Sequence, residues 1–213
     1  MEDNTVEIYF LKYKSPDLES RCLDSILHHT VWPYHLHVVD NRNGSKNMAT
    51  TWNYLLQQHG HYYFKMFIDS DTTVSAGWLT SLMDVMLTQR DAGVVVPRTD
   101  LCGESRQMHV LEDSQLVTLP LASGFCFLFN MSSYLDCGKF NSRFGFYGQD
   151  SEWFIRMVAK TRWKIYLQPK CFVHHEGSYS VLKADNEGYD FEQDKENALR
   201  LFWQYAKEYG SEL

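Results

Sequence analysis

Hydrophobic and polar positions along the first half of the chain fall into segments that fit strands and helices in turn. Apolar, β-rich runs cover residues 7–13, 34–40, 62–68 and 92–97. Between these runs, apolar residues recur at helical spacing after Pro16, after Met48 and across residues 77–89. This alternation predicts an α/β sandwich built on a mostly parallel central sheet.

The second half departs from this pattern after Pro97. Residues 98–120 indicate an irregular loop or hairpin, and "FCFLFN" at 125–130 indicates a further strand. A glycine- and aromatic-rich loop at 138–150 precedes a helix from Ser151 to about residue 160, and "KIYLQP" and "CFVHHEG" fit two short strands. "FEQDKENALRLFWQYAKEY" predicts a C-terminal helix. We expect one domain over residues 1–213 with a mixed second half, a description that also fits one module of a longer protein.

The composition narrows the function classes. The 213 residues carry 27 acidic and 20 basic side chains, for a net charge of −7. This balance argues against binding nucleic acid through its phosphates. No apolar run reaches the roughly 20 residues that span a bilayer, and "MEDNTVEIYF" lacks the features of a signal peptide. The five cysteines include no CxxC pair, so we expect reduced thiols in a cytoplasmic protein and no zinc site.

Two carboxylates follow the third apolar run directly, as Asp69 and Asp71 with Ser70 between them. Functional groups of a parallel sheet gather at the carboxyl ends of its strands. Paired acids are costly to bury without compensation, and they suit Mg²⁺, Mn²⁺ or a ribose hydroxyl as ligands. The alternative is an acidic turn whose aspartate caps a helix near Ser75. The apolar strand immediately before the pair favours a ligand site.

Three other stretches carry candidate chemistry. Asp40 and Asn41 end the second strand, where an acid and an amide can bind a nucleobase or ribose edge or form a turn. Asp150 begins a helix after an aromatic loop, where a carboxylate can serve a sugar site or cap the helix. His174 and His175 point to opposite faces of a strand, so one of them can complete a carboxylate metal site or stay a hydrogen-bonded sheet residue.

In this order, the stretches resemble those of family-2-like glycosyltransferases with the GT-A fold, from about Ile8 to Ser180. The matching segments are "VVDN", a following helix that contains Asn53, "IDSDT", "LASGFCFLF", "GQDSEWFIR" and "PKCFVHHEGSYS". The resemblance implies a GT-A-type α/β/α sandwich with a Rossmann-like first half. Residues 1–97 would bind the nucleotide sugar, and residues 98–213 the acceptor.

The resemblance also implies an activity. A hexosyl or deoxyhexosyl group would pass from a nucleotide-diphosphate sugar, in the first place a UDP-sugar, to a hydroxyl of a glycan or glycoprotein, with Mn²⁺ or Mg²⁺ as cofactor. Asp150 would deprotonate the acceptor in an inverting enzyme. The metal ligands would be Asp69, Asp71 and His175, since the spacing of His175 from Ser180 fits better than that of His174. The donor-binding residues would be Tyr13, Asp40, Asn41, Asn53, Asp69, Ser70 and Asp71.

The chain departs from the family pattern at three positions. Lys14 stands where an asparagine is common, Gln149 where an acid precedes the base, and Glu152 where an aspartate is usual. A retaining enzyme would need no base at Asp150, so both stereochemical outcomes stay open. The overall likeness extends to capsid-glycan glycosyltransferases of large algal viruses, which implies the host cytoplasm.

Other function classes remain as alternatives. A sugar nucleotidyltransferase would carry a glycine-rich phosphate loop after the first strand, and "LKYKSPDLES" has no glycine. A carbohydrate-binding module without turnover is a second alternative, because of Gln149. Transfer to modified DNA bases is a variant that the acidic charge disfavours.

Overall fold

A computed structural model describes residues 4–41, 47–59, 61–177 and 189–211. The described strands are β1 (Val6–Lys12), β2 (Tyr34–Asp40), β3 (Phe64–Asp69), β4 (Thr72–Val74), β5 (Ala92–Arg98), β6 (Val117–Leu119), β7 (Cys126–Asn130) and β8 (Lys164–His175). The helices are α1 (Pro16–His29), α2 (Met48–Gln58), α3 (Trp78–Thr88), α4 (Ser105–His109), α5 (Met131–Cys137), α6 (Gln149–Lys160) and α7 (Phe191–Tyr209).

The strands form one sheet in the order β2-β1-β3-β7-β5-β8-β4, with β6 beside β8. β1 pairs in parallel with β2 and β3, and β5 pairs in parallel with β8. β7 runs antiparallel between β3 and β5. β4 and β6 run antiparallel to β8. β1, β2, β3, β5 and β8 therefore share one direction, which confirms the mostly parallel sheet.

Helices cover both faces of the sheet because successive strand residues point to opposite sides. Ile8 and Phe10 of β1 belong to one core cluster, which also takes in apolar residues of α1 and α3. Tyr9 and Leu11 belong to a second cluster with residues of α2 and α6, among them Trp153. The result is the three-layer α/β/α sandwich that the sequence resemblance implies.

The second half contains elements that the pattern does not predict. α4 and β6 lie within the predicted loop, and α5 follows β7 without a break. The two predicted short strands form the single strand β8. Pro169, which has no N–H to donate, lies where the pairing of β8 with β5 changes register between Pro97 and Arg98. Because of this irregular pairing near Pro169, the sequence of the single strand β8 resembles that of two short strands.

Lys65 and Glu7 are two charged residues buried inside the first half. Lys65 on β3 lies opposite Glu7 on β1 and forms an ion pair with it, and both side chains are buried. Lys65 Nζ also donates to the carbonyl oxygen of His59 at 2.6 Å. The ring of His37 stacks on Tyr9, with 5.0 Å between the ring centroids.

All five cysteines are free, and Cys22, Cys126 and Cys171 are buried. Among the described helices, none combines the length and the apolar character that crossing a membrane requires.

Candidate functional site

Three neighbouring strands end at the same edge of the sheet. In the register of β1, Lys12 lies beside Asp40 and Leu11 beside Asp69. A pocket of about 210 Å³ opens at this edge. The predicted site residues that line it are Tyr13, Asn41, Asp69, Ser70, Asp71, Asp150 and His175.

The acidic turn after β3 is held by main-chain hydrogen bonds to two other strands. The N–H of Asp69 donates to the carbonyl oxygen of Phe125 at 2.8 Å, and the N–H of Glu176 donates to that of Asp71 at 3.0 Å. Helix α3 begins only at Trp78, with Gly77 as its N-cap. Neither aspartate therefore caps that helix, and both side chains are free to face the pocket.

His175 is oriented toward this turn. Its Nδ1 lies 2.7 Å from the carbonyl oxygen of Leu101, to which it donates in the Nδ1–H tautomer, and its ring stacks on Phe125 at 4.6 Å. Nε2 then lies 3.5 Å from Oδ1 of Asp71. A hydrogen bond at one ring nitrogen leaves the other as a ligand atom.

The neighbouring His174 faces the other side of β8. It contacts the carboxylates of Asp100 and Glu176. Asp100 also accepts from the N–H of His175 at 3.1 Å. Of the two rings, that of His175 is the one directed at the acidic turn, as expected for the metal ligand. Ser180, from which the spacing of both histidines is counted, lies outside the described residues.

Ligand atoms of Asp69, Asp71 and His175 all lie within 4.8 Å of one another. Two ligands of one Mg²⁺ or Mn²⁺ ion, each about 2.1 Å from it, stand at most about 4.2 Å apart. A small rotation of the side chains is enough to bring the three atoms to that spacing. Two carboxylates and an imidazole form a donor set that suits Mn²⁺, so these residues fit a divalent cation.

Several titratable side chains in the pocket have shifted pKa values. Asp69 opens into it, but the enclosing walls and, secondly, the charge of Asp71 raise the pKa of Asp69 well above its ordinary value. Burial also raises the pKa of Asp150. For His175, burial lowers the pKa, but hydrogen bonding and attraction to Asp71 outweigh it and raise the pKa overall. These shifts mark an anionic, poorly solvated pocket that a cation would neutralise.

Asp150 lies in the first turn of α6. That helix begins at Gln149, two residues earlier than predicted, because Gly148 adopts a φ of 83° as its N-cap. Oδ2 of Asp150 accepts from the N–H of Gly124 at 2.8 Å. A Cβ on Gly124 would stand 2.5 Å from that oxygen, so the close approach requires glycine.

Aromatic residues also line the pocket. Tyr13 lies 5.4 Å from Phe146, and both line the pocket together with Tyr147. The N–H groups of Phe146 and Tyr147 donate to Oδ2 of Asp194 at 2.8 and 3.2 Å. Helix α7 thereby fixes the loop before α6, and an apolar wall lies next to the polar end of the pocket.

Two of the expected donor-binding residues take other positions. Asp40 is exposed and does not line the pocket, whereas its neighbour Asn41 is buried and does. Oδ1 of Asn53 accepts from the N–H of Phe140 at 3.0 Å and from the hydroxyl of Tyr134 at 3.1 Å. Its Nδ2 donates to the carbonyl oxygen of Phe140 at 2.8 Å. The Asn53 amide is thus engaged in linking α2 to a loop, a correction to its expected contact with the donor.

Some residues that shape the site are not apparent from the sequence. Leu101 and Asp100, which hold His175, lie in the predicted irregular loop and act partly through main-chain atoms. Asp194, which holds the aromatic loop, is one of several acids in the first turns of α7. The segment "LASGFCFLF", in contrast, is recognisable in the sequence as similar to the family, and its Ser123, Gly124 and Phe125 line the pocket.

Comparisons with known proteins bear on the fold. No protein-family model matches the chain, and no curated protein matches it in sequence. A crystal structure of GalNAc-T7 with UDP, GalNAc and Mn²⁺ matches with a TM-score of 0.63 and 12% identity, over 80% of this chain and 43% of that one. A structure of residues 1–349 of S. aureus TarS with UDP-GlcNAc matches with a TM-score of 0.66 and 13% identity, over 98% and 68%. The chain therefore has the fold of the GT-A glycosyltransferases, and it spans less than half the length of the GalNAc-T7 chain.

Proposed function

We propose that the chain is a metal-dependent glycosyltransferase that moves a hexosyl or deoxyhexosyl group from a UDP-sugar to a hydroxyl of a glycan or glycoprotein. One observation carries this proposal: Asp69, Asp71 and His175 converge at the end of β3, in the same pocket as Asp150. UDP is the first candidate nucleotide because both structural neighbours were solved with UDP or a UDP-sugar.

In this proposal the nucleotide lies along the strand ends. Tyr13, Asn41 and Met48 line the part of the pocket formed by the first two strands and α2, and they would hold the nucleoside. The diphosphate would lie at Asp69 and Asp71. A Mn²⁺ or Mg²⁺ ion held there by these aspartates and His175 would neutralise the charge that develops on the leaving diphosphate.

Asp150 would act as the general base of an inverting transfer. Burial raises its pKa, which strengthens its carboxylate as a proton acceptor. Its contact with the N–H of Gly124 fixes Oδ2. Oδ1, to which the hydroxyl of Ser151 donates at 3.5 Å, would approach the acceptor hydroxyl. The proton of that hydroxyl would pass to the carboxylate as the oxygen attacks the anomeric carbon, while the bond from that carbon to the diphosphate oxygen breaks and UDP leaves.

The two halves of the chain divide the task in this account. Residues 1–97 would bind the nucleotide sugar, and residues 98–213 would bind the acceptor. Cys102, Gly103 and the loop from Phe146 to Gly148 are parts of the second half that line the pocket. The acceptor class stays a prediction from the sequence resemblance, as does the likeness to viral capsid-glycan enzymes.

A turnover assay tests the proposal. UDP release from UDP-glucose, UDP-galactose and UDP-N-acetylglucosamine is measured with MnCl₂ or EDTA, with and without a panel of oligosaccharide acceptors. We expect release that needs metal and that Asp71→Ala abolishes. Metal-dependent UDP binding without release from any donor would instead indicate a binding module, and no nucleotide binding under any condition would contradict the proposal.

A further inference from the structure

Gln149 lines the pocket, and its side chain carries a buried polar atom without a partner among the described residues. Gln149 is the first residue of α6, is 6% exposed and lines the pocket. Its Oε1 is enclosed and has no hydrogen-bond partner within the part of the chain that the structure describes. An enclosed amide oxygen without a partner is unfavourable, so such a group in a pocket points to a donor supplied by a ligand.

The side-chain amide of another buried glutamine, Gln107, has hydrogen-bond partners within the protein. Gln107 is fully buried, and its Oε1 accepts from the N–H of Ser123 at 2.6 Å. Its Nε2 donates to the carbonyl oxygen of Pro97 at 3.2 Å. The protein thus supplies a hydrogen-bond donor to the amide oxygen of Gln107, and the described residues supply none to that of Gln149.

The position of Gln149 indicates which part of a ligand it meets. It precedes Asp150, and both residues line the same pocket as Asp69 and Asp71, so the start of α6 and the end of β3 border one cavity. A group attached to a diphosphate at Asp69 and Asp71 lies between these two walls. In the function proposed above, that group is the transferred sugar.

We propose that the side-chain amide of Gln149 binds a hydroxyl group of the transferred sugar and thereby contributes to the choice of donor. This assignment rests on the proposed function and deepens it. Because Oε1 is enclosed, the amide would turn toward the pocket to accept a hydrogen bond from a sugar hydroxyl, which would satisfy the oxygen. Because the amide is neutral, it offers an acceptor without adding a fourth negative charge beside Asp69, Asp71 and Asp150.

The test compares binding of UDP with binding of UDP-sugars. Wild type and Gln149→Met are titrated by calorimetry in MnCl₂ with UDP, UDP-glucose, UDP-galactose and UDP-N-acetylglucosamine. We expect the dissociation constant for UDP to change less than about twofold, and that for the preferred UDP-sugar to rise about fivefold or more, as for one lost hydrogen bond. An unchanged ratio of UDP-sugar to UDP affinity would overturn the assignment.

Two further variants separate binding from folding. Gln149→Glu keeps an acceptor oxygen, so we expect it to retain the UDP-sugar to UDP ratio that Gln149→Met loses. Without ligand, Gln149→Met should melt within about 3 °C of wild type, whereas Gln107→Met should melt well below it because it leaves two buried groups unpaired. A large fall for Gln149→Met would show a structural role and overturn the assignment. Failure of the wild type to bind UDP with metal would instead overturn the proposed function.

Discussion

Nε2 of His175 faces Oδ1 of Asp71 across 3.5 Å, while Nδ1 of the same ring faces the carbonyl oxygen of Leu101 at 2.7 Å. The ring is held at one nitrogen and directed at a carboxylate with the other. Asp71 and His175 are 104 positions apart in the sequence, and this arrangement brings them together in a candidate cation site.

Substitution of the two adjacent histidines should therefore have unequal effects. His175→Ala removes a proposed ligand, and we expect Mn²⁺ affinity in the presence of UDP to fall at least 10-fold, the effect typical of damage to such a site. His174→Ala serves as the matched control, because His174 pairs with Asp100 and Glu176 on the other face. Titration calorimetry measures both, and equal losses would contradict the assignment of His175.

Asp150→Asn should separate stability from activity. Burial raises the pKa of Asp150, so the folded chain holds this proton more tightly than the unfolded chain does. The stability due to that proton is fully present below the ordinary pKa of about 3.9 and is lost as pH rises through the raised pKa. The neutral asparagine should thus raise the melting temperature at pH 7, with a gain that shrinks toward pH 4.

The same variant should lower the rate of transfer about 10²-fold or more, as expected for a lost general base. Melting curves from pH 4 to 8 and a turnover assay measure the two effects. A gain in stability that is independent of pH would show that the raised pKa of Asp150 is not its source. Full activity would show that Asp150 is not the base.

Gly124→Ala should disturb Asp150 by steric conflict. The added Cβ would lie 2.5 Å from Oδ2 and 2.6 Å from Cβ of Asp150. We expect a loss of about 1–3 kcal/mol in the free energy of unfolding, together with a strong fall in transfer. Gly103→Ala is the control, since its Cβ would meet only Oγ of Ser123 at 3.4 Å. Chemical denaturation measures both, and similar results for the two alanines would contradict the account.

Asn53→Ala should affect stability and spare nucleotide binding. The change removes both hydrogen bonds to the main chain of Phe140, which is buried. Leaving such groups unpaired costs about 1–3 kcal/mol of folding free energy. Metal-dependent UDP binding should stay within about twofold of wild type. A selective loss of UDP affinity at unchanged stability would restore Asn53 to the donor site.

The first half of the fold follows from the sequence because its signals are local. Each apolar run forms a strand, although the edge strand β2 is only partly buried, and each helix shows its own periodicity. The position of Asp69 and Asp71 at a strand end follows for the same reason. Asp40 and Asn41 show the limit of this reasoning: adjacent residues at a strand end face differently, and only the packing determines that Asn41 lines the pocket.

Other features depend on contacts between distant segments. Asn53 bonds to a residue 87 positions away, and Asp194 bonds to residues 47 and 48 positions away. Lys14 shows the opposite case, in which a departure from the family pattern has a visible local consequence. Its φ of 50° lies in the left-handed region, where asparagine is favoured over lysine.

Thermal unfolding with UDP, with and without Mn²⁺, tests the central claim most directly. A ligand at about 100 times its dissociation constant stabilises a fold by about 2.7 kcal/mol, which for a chain of this size raises the melting temperature by about 5–10 °C. We expect this rise for wild type only with UDP and Mn²⁺ together, and no rise for Asp71→Ala. Equal rises in wild type and Asp71→Ala, or no rise in wild type with any nucleotide and metal, would contradict the claim that the end of β3 holds a metal for a nucleotide sugar.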